Sequence, residues 1–273
     1  MPESFYYPDG DRFVATELTR GPWDPNAQHA GPPAALIARE IERLAADGPR
    51  QVGRITYEIL RPVPIASLRV EARVVRPGRS VELVEASLAD EQGEVIRARA
   101  WRLRRTEVDV PEGLGSARLG EGSGSVLEGG ELPGPEEGRE SRFFVTGQDV
   151  GYHTAMDYRF VHGEFTQPGP ATTWMRMRHP LVAGEEPTPL QRVATAADTG
   201  NGISATLDYS RFIFINVDLT IHLVRPPEGE WVCLESVTIP ERTGVGLTDT
   251  ALHDEQGPIG RAAQTLLVAE RES

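Results

Sequence analysis

An internal repeat constrains this sequence more than any other feature. The dipeptide Arg61-Pro62 recurs 164 residues later as Arg225-Pro226, and the run Asp90–Gly93 recurs at the same spacing as Asp254–Gly257. The matches extend without a gap from residue 56 to residue 103, and they fall at turns and at alternating strand positions. Solenoids need three or more short repeats. Two long copies therefore indicate one small domain that is duplicated within a single chain.

The repeat divides the chain into two units and a connecting segment. We place the first unit at residues 1–105, a linker at 106–142 and the second unit at 143–273. Each unit has the usual size of an independent domain. The linker is rich in Gly, Pro, Glu and Ser and offers little apolar surface to bury, so we expect it to be long and partly mobile.

The composition argues against several classes of function. The formal net charge of -13 over 273 residues disfavours non-specific nucleic-acid binding, which depends on Lys and Arg. The single cysteine, Cys233, excludes an internal disulfide and a cysteine-based metal site, and the six histidines show no metal-ligand spacing. The N-terminus is unlike a signal peptide, and no apolar run is long enough for a membrane span. We expect a cytoplasmic protein without a metal ion, cofactor or membrane association.

Both units predict the same order of elements, which is a strand, a helix and then antiparallel strands. In the first unit, His29–Pro33 leads into a helix that stops at Asp47-Gly48-Pro49. In the second unit, Thr188 is a helix N-cap and Gly200-Asn201-Gly202 ends the helix. One strand is predicted over residues 212–224. The other predicted strands are 11–18, 54–60, 68–75, 81–88, 95–105, 156–165, 172–178, 231–239, 245–252 and 259–269.

Three polar residues lie at positions that suggest burial, and no familiar hydrolase, phosphate-loop or zinc-protease motif accompanies them. Asp198 shares the apolar face of the second helix, although a frayed last turn would also explain it. Gln264 takes the position of Ala100 in the other copy, and it needs buried partners unless it lies on an exposed strand edge. Asn216 shares a predicted strand face with Asp218, and taken alone this pattern favours a solvated strand face.

Several short motifs carry a family resemblance over nearly the whole chain except the linker. They are Gly21-Pro22-Trp23, His29-Ala30-Gly31, Leu60-Arg61-Pro62 and Val75–Arg79 in the first unit, and Ala196–Asp198, Val217-Asp218, Arg225-Pro226 and Gln264 in the second. With these motifs the chain resembles the thioesterase-like superfamily and is similar to acyl-CoA thioesterase II. The resemblance implies an α+β double hotdog fold, in which two antiparallel sheets each wrap a central helix and join into one continuous sheet.

The resemblance also implies a set of catalytic residues. In that family an Asp, a Gln and a Thr or Ser together hold the attacking water. Asp198 and Gln264 match the first two positions. Asn216 takes the third, where it can hydrogen-bond a water although it lacks a hydroxyl group.

Substrate contacts follow from the same resemblance. The family's Gly-Gly before the first helix is here Gly31-Pro32-Pro33, so two N–H donors to a thioester oxygen are lost. Backbone N–H groups of Gly31 and Ala34, or of Ala35, remain as candidate donors. The candidate substrate-binding residues are His29, Arg76 and Arg79, with the two arginines assigned to CoA phosphates. The acyl chain is expected between helix and sheet.

These expectations together predict an acyl-CoA thioesterase that binds acyl-CoA and forms a homodimer or a higher homo-oligomer. Because Gln264 has Ala100 as its counterpart, we expect one working site per chain. Two alternatives stay open. A non-catalytic acyl-CoA-binding or regulatory hotdog protein is favoured by the departures at Asn216 and Pro32-Pro33. An enoyl-CoA hydratase ranks lower, because the Asp-x4-Asn-Pro-x-His run of hotdog hydratases is missing.

Overall fold

The computed structural model describes residues 2–111, 119, 132–141 and 147–271. The first unit contains one long helix and six strands. They are β1 Tyr6–Asp9, β2 Arg12–Ala15, α1 Gly31–Arg43, β3 Arg50–Ile59, β4 Ser67–Arg76, β5 Val81–Asp90 and β6 Gly93–Arg104. Short 3-10 helices lie at Glu17–Thr19 and Pro135–Glu137. The predicted strand over residues 11–18 is thus a short strand followed by a 3-10 turn, and β1 was missed.

The second unit repeats this plan with shorter helices. Its elements are α2 Tyr152–Ala155, β7 Met156–Glu164, β8 Gln167–Met177, α3 Pro189–Ala197, α4 Gly200–Ile203, β9 Phe212–Asn216, β10 Asp218–Leu223, β11 Val232–Pro240, β12 Val245–Asp254 and β13 Gly257–Glu270. Across the described residues the strands form one sheet in the order β1-β2-β4-β5-β6-β3-β10-β13-β12-β11-β8-β7, with β9 also paired to β13. The sheets of the two units therefore join edge to edge, as the repeat predicts.

The join between the units lies on a local two-fold axis. Strands β3 and β10 pair antiparallel with Thr56 opposite Thr220, and the two hydroxyl groups lie 3.1 Å apart. These two residues are counterparts in the repeat, separated by 164 positions. The flanking pairs are related by exchange, since Arg54 faces His222, the counterpart of Glu58, and Glu58 faces Asp218, the counterpart of Arg54. The junction is thus isologous, like the interface of a symmetric dimer made within one chain.

The repeated Arg and Asp residues form the same contact in both units. Arg61 Nη1 donates to Asp90 Oδ2 at 2.9 Å, and Arg225 Nη1 donates to Asp254 Oδ2 at 2.6 Å. Each guanidinium also donates to a backbone carbonyl in the hairpin turn that follows its aspartate. Charge-assisted bidentate pairs of this kind fix geometry well. The most similar parts of the repeat are therefore two equivalent clamps on two hairpins.

The second unit departs from the sequence-based prediction in two places. The predicted strand over 212–224 is divided at Val217: Phe214 is buried in β9, whereas Leu219 is buried in β10. The buried side chain before Val217 has an even residue number, whereas the buried side chains after it have odd numbers. Asn216 therefore does not share a face with Asp218. A separate short helix, α4, also begins at Gly200, where the sequence predicts a helix end, and α3 itself ends at Ala197. A Cβ atom at Gly200 would lie 2.6 Å from Thr250 Oγ1, so this glycine permits close packing on the sheet.

The last part of the predicted linker packs against the second unit. Pro135 is buried, and the indole nitrogen of Trp174 donates to the Pro133 carbonyl at 2.8 Å. Arg139 forms an antiparallel bridge with Phe160. The expectation of little burial is thus wrong for residues 132–139. Residues 112–118 and 120–131 of the predicted linker, and the predicted start of the second unit at 143, lie outside the described residues.

The two long helices pack against each other in opposite directions. The start of α1 lies beside the end of α3, where a Cβ atom at Gly31 would lie 2.2 Å from the Thr195 carbonyl oxygen. The side chains of Leu36, Ile37 and Ile41 on α1 are fully buried in the main core. These aliphatic side chains occupy the space between helix and sheet in which the acyl chain was expected.

Candidate active site

Asp198 owes its position to the helix that precedes it. Thr188 caps α3 as predicted, because its side-chain oxygen accepts a hydrogen bond from the Gln191 N–H. The helix ends at Ala197, and Asp198 is the C-cap residue with only 7% of its surface exposed. A carboxylate there faces the negative end of the helix dipole. It is therefore stable only if neighbouring groups donate hydrogen bonds to it.

Two amide side chains provide such donors. Asn216 Nδ2 donates to Asp198 Oδ1 at 2.7 Å. Gln264 Nε2 lies 3.3 Å from the same oxygen and 3.2 Å from the Asp198 carbonyl oxygen. The Gln264 side-chain oxygen accepts from the Asn201 N–H at 3.1 Å, and Gln264 is 1% exposed. Of the two interpretations of Gln264, the structure supports the buried position with partners.

His29 contacts the second carboxylate oxygen. Its Nδ1 lies 3.0 Å from Asp198 Oδ2. The imidazole stacks on the Tyr152 ring, with ring centroids 3.8 Å apart and planes 11° apart. The Tyr152 hydroxyl donates to the Thr195 carbonyl at 2.7 Å. Burial raises the pKa of the Tyr152 phenol, so this residue holds the imidazole in place as a neutral donor.

The expected oxyanion donors have partners of their own. The Gly31 N–H donates to His29 Nδ1 at 3.2 Å, next to Asp198. The Ala34 N–H donates to the Ala30 carbonyl at 3.0 Å, because Ala30 is the N-cap and this is the first bond of the helix. The Ala34 N–H is thus committed to the helix backbone, whereas the Gly31 N–H donates to a side chain beside Asp198.

A cavity of about 420 Å³ opens beside these residues, which is within the usual range for small-molecule sites. Asp198, Asn216 and His29 all line it, whereas Gln264 lies behind Asp198. Its apolar wall includes Trp23, whose ring centroid lies 6.2 Å from that of Phe214. Three of the predicted polar residues thus meet at one wall, with an aromatic surface beside them.

The two arginines proposed for CoA phosphates lie elsewhere. Arg76 is the last residue of β4, and Arg79 is in the following turn, where Arg50 at the start of β3 donates to the neighbouring Gly78 carbonyl. The cavity is lined by Ile59 at the other end of β3. Ten strand residues span about 30 Å at roughly 3.3 Å per residue. The arginines that do line the cavity are Arg61 and Arg271.

Sequence reasoning missed two residues that build the site. Tyr152 supports His29 from α2, and Asn201 connects α4 to β9 by donating from Nδ2 to the Phe214 carbonyl at 3.2 Å. Gly200-Asn201-Gly202 was interpreted only as a helix stop, although an Asn between two glycines was the available signal. Among the described residues, no group of three His, Cys, Asp or Glu side chains could hold a metal ion.

Sequence profiles of known families match both units of the chain. The acyl-CoA thioesterase N-terminal domain matches residues 19–103, and the acyl-CoA thioesterase C-terminal domain matches residues 131–268. The chain belongs to the acyl-CoA thioesterase family. A search of curated protein sequences gives no match.

Solved structures agree with this thioesterase fold. A thioesterase II candidate from Thermobifida fusca YX has a TM-score of 0.72 at 17% identity, covering 96% of this chain and 93% of that one. A hot dog fold protein from Alicyclobacillus acidocaldarius has a TM-score of 0.70 at 16% identity, covering 98% and 96%. The acyl-CoA thioesterase II TesB2 from Mycobacterium marinum has a TM-score of 0.63 at 13% identity, covering 97% and 94%. At these identities the likeness shows the hotdog fold alone.

Membership of the thioesterase family supports thioester hydrolysis as the general class of reaction. No helix in the described part of the chain is long and apolar enough to cross a membrane.

Proposed function

We propose that this thioesterase-family protein hydrolyses acyl-CoA at the cavity lined by Asp198. The observation that supports this best is a buried carboxylate on a cavity wall, where Asn216, Gln264 and His29 hold both of its oxygens. Keeping a charge there at a helix C-terminus costs stability. Such a cost is typical of a residue retained for chemistry.

The reaction needs one water molecule and no redox partner. A water placed beside Asp198 and Asn216 attacks the carbonyl carbon of the thioester, and Asp198 takes its proton or orients it. The new C–O bond forms, the C–S bond breaks, and sulfur leaves with the bonding electron pair. Sulfur then gains a proton, which gives the free acid and the CoA thiol. A positioned base typically contributes about 100-fold or more to such a step.

The substrate would lie in the cavity and not between helix and sheet. Trp23 and Phe214 offer apolar surface to the acyl group, since both line the cavity. Arg61 and Arg271 lie on the cavity wall and are better placed than Arg76 and Arg79 to meet CoA phosphates. Guanidinium groups suit phosphate oxygens because they can donate two hydrogen bonds at once.

Turnover of a panel of acyl-CoA substrates tests the proposal. Straight-chain substrates of increasing length and one aromatic acyl-CoA are incubated with the protein, and the released thiol is measured with a thiol reagent. Enzyme-dependent release for at least one substrate is the expected result. Tight acyl-CoA binding by calorimetry without any thiol release would contradict hydrolysis.

That second outcome corresponds to the non-catalytic acyl-CoA-binding alternative. One observation favours this alternative, because the N–H groups of Gly31 and Ala34 both have protein partners. Hydration of crotonyl-CoA, followed by loss of enoyl absorbance, tests the enoyl-CoA hydratase alternative in the same experiment.

The homo-oligomer and the cytoplasmic location stay predictions. An aliphatic stripe on the outer sheet face supports self-association, since Ile239 pairs with Leu247, Val245 with Leu267 and Leu267 with Ile215, all half exposed. Contiguous apolar patches of this kind often mark interfaces. Sedimentation equilibrium of the wild type and of Leu267→Glu should show a dimer and a monomer, respectively. A monomeric wild type would contradict the expectation.

A further inference from the structure

We infer that His29 is the proton-transfer residue of this site. Its Nε2 takes the proton of the attacking water and returns it to the leaving sulfur, while Asp198 orients the ring. The inference rests on the proposed thioester hydrolysis. It assigns His29 a role beyond substrate binding. It also means that Asp198 does not take the water proton itself and acts by orienting His29.

The two oxygens of Asp198 already have partners. Oδ1 accepts from Asn216 at 2.7 Å and lies 3.3 Å from Gln264 Nε2, and Oδ2 lies 3.0 Å from His29 Nδ1. An imidazole nitrogen must carry hydrogen to bond a carboxylate, so the neutral ring keeps its lone pair on Nε2. Nε2 has no hydrogen-bond partner among the described residues, and His29 lines the cavity. The free basic atom of the pair is therefore Nε2.

The imidazole is held from three directions, as a proton-transfer group requires. Its ring stacks on Tyr152 at 3.8 Å, and the Tyr152 hydroxyl is fixed by the Thr195 carbonyl and by Thr199 Oγ1 at 2.9 Å. The backbone N–H of His29 donates to the Thr19 carbonyl at 2.8 Å. Only 14% of the side chain is exposed. A buried carboxylate on one ring nitrogen of a histidine that lines a cavity is the arrangement of Asp–His pairs in hydrolases.

The position of one proton also decides what Gly31 can do. Gly31 N–H and Asp198 Oδ2 both lie within hydrogen-bonding distance of His29 Nδ1, at 3.2 and 3.0 Å. Gly31 needs a lone pair on Nδ1, whereas Asp198 needs a hydrogen there, so only one contact can form at a time. When Nδ1 carries hydrogen, the Gly31 N–H is released. That N–H then becomes a donor for the thioester oxygen at the start of α1.

In the inferred cycle one proton passes from the water to His29 and then to the leaving sulfur. Nε2 accepts the water proton while the water oxygen bonds to the carbonyl carbon, and the carbonyl π electrons move to oxygen. When the C=O bond re-forms, the C–S bond breaks and sulfur takes its electron pair. Nε2–H then protonates sulfur, so His29 returns to its starting state and Asp198 neither gains nor loses a proton.

Substitution of His29 by Asn separates this role from a structural one. The Asn amide can place an N–H near the position of Nδ1 and keep the bond to Asp198, but it has no atom that carries the proton at Nε2. We expect kcat for acyl-CoA to fall about 100-fold or more, with KM and melting temperature little changed. His222→Asn is the matched control, because His222 is exposed on β10 outside the cavity, and it should keep wild-type kcat.

The leaving group provides a readout that a structural role would not move. An aryl thioester of the same acid releases a stable thiolate that needs no proton, so the His29→Asn deficit should shrink at least about tenfold on that substrate. Equal deficits on both thioesters, or wild-type kcat in the variant, would overturn the inference.

Two further results keep the test decisive. If His29→Asn does not fold, wild-type protein is treated with diethyl pyrocarbonate, and loss of activity should follow modification of His29 mapped by mass spectrometry. Full activity with His29 modified would overturn the inference. If the wild type hydrolyses no thioester at all, the proposed function itself fails and this inference fails with it. An active wild type with an active variant removes only the role of His29.

Discussion

The two ends of the antiparallel helix pair carry opposite charges at corresponding places. At the end of α3, Asp198 places a buried carboxylate beside the cavity. At the end of α1, the buried guanidinium of Arg102 donates hydrogen bonds to two backbone carbonyls, Ile41 O at 2.8 Å and Leu44 O at 2.9 Å. A positive group suits the negative end of a helix, and a carboxylate opposes it. One end is thus arranged for stability, and the other is not.

The repeat explains how one sheet supports both arrangements. At the spacing of 164 residues, Gln264 corresponds to Ala100 and the buried Leu266 corresponds to Arg102. Arg102 also pairs with Glu82, and both side chains are at least nine-tenths buried. In the first unit, the ion pair uses Arg102, which corresponds to Leu266 in the second unit. Leu266 lies two residues after Gln264, which contacts Asp198.

This difference indicates where the chain retained a site after duplication. The two Arg–Asp clamps, which hold equivalent hairpins, are alike in both units. The helix ends differ, because one has a charge that stabilises the helix and the other has a charge that opposes it. Local rules of stability are most often broken at functional sites. The comparison therefore supports one working site per chain.

The largest expected effect comes from removing the ion pair at the α1 end. Arg102→Leu copies the residue of the second unit but leaves the Glu82 carboxylate buried with only Arg50 near it, at 3.6 Å. Breaking a buried pair from one side typically costs about 3–5 kcal/mol. We expect a large fall in the free energy of unfolding, measured by urea titration, and unchanged kcat for acyl-CoA.

A double variant sharpens that result. Glu82→Ala combined with Arg102→Leu removes the carboxylate that the single variant leaves buried, so part of the lost stability should return, although Arg50 then loses its contact with Glu82. If the single variant unfolds at the wild-type urea concentration, the ion pair does not stabilise the α1 end. If it loses activity while still folded, the two ends are not independent.

A smaller effect is expected from exchanging the residues that differ between the copies. Gln264→Ala removes a donor to the Asp198 carboxylate, and hydrogen bonds to charged groups contribute about 1.5–3 kcal/mol. That corresponds to a decrease in kcat of roughly tenfold to 100-fold. Ala100→Gln should leave kcat unchanged, because Asp198, the carboxylate that Gln264 contacts, belongs to the second unit. Thiol release by both purified variants checks this, and a gain of activity in Ala100→Gln would contradict a single site.

The smallest expected effect is a difference between the two Arg–Asp clamps in how much each aspartate stabilises the fold. Burial acts to raise the pKa of Asp254, but hydrogen bonds from Arg225 and from two backbone N–H groups outweigh it and lower the pKa. The Arg61 guanidinium lowers the pKa of Asp90. When folding lowers the pKa of an Asp, its charged form stabilises the fold at pH values above the unfolded-state pKa, which is about 3.9. That stabilisation is lost as the pH falls through the folded-state pKa.

Melting of Asp254→Asn and Asp90→Asn at several pH values measures this difference. The Asp254 side chain is fully buried, so its replacement should cost about 1–3 kcal/mol at neutral pH and more than the replacement of Asp90. Both deficits should shrink below about pH 4. Equal deficits in the two variants, or deficits independent of pH, would show that burial does not distinguish the clamps.

The fold could be predicted from the sequence because the signals for its helices, strands and turns lie in short segments and occur in both units. Turn glycines, capping residues and alternating strands gave the element order, and the position of Thr188 as an N-cap is confirmed. The division at Val217 was missed, because a change of strand phase depends on pairing with β13 and not on the residues themselves. The same limit applies to Gly200, which permits packing on Thr250 and begins α4 after α3 has ended at Ala197.

The site could be predicted only in part. Asp198, Asn216 and Gln264 were identified, and the structure brings all three into contact. The pairing of His29 with Asp198 joins residues 169 positions apart on different units, so no local pattern reveals it. Arg76 and Arg79 were placed by chemistry alone, and charge at a turn does not indicate which end of a strand faces the cavity.

The claim that one helix end carries the activity is tested most directly by a pair of carboxylate variants. Asp198→Asn keeps shape and hydrogen bonding but removes the charge at the cavity. Glu42→Gln does the same at the other end, where Glu42 Oε2 accepts from Thr188 Oγ1 at 2.6 Å. Initial rates of thiol release from acyl-CoA are compared with the wild-type rate. We predict a loss of about 100-fold or more for Asp198→Asn and none for Glu42→Gln. A wild-type rate in Asp198→Asn, or a loss confined to Glu42→Gln, would contradict the account.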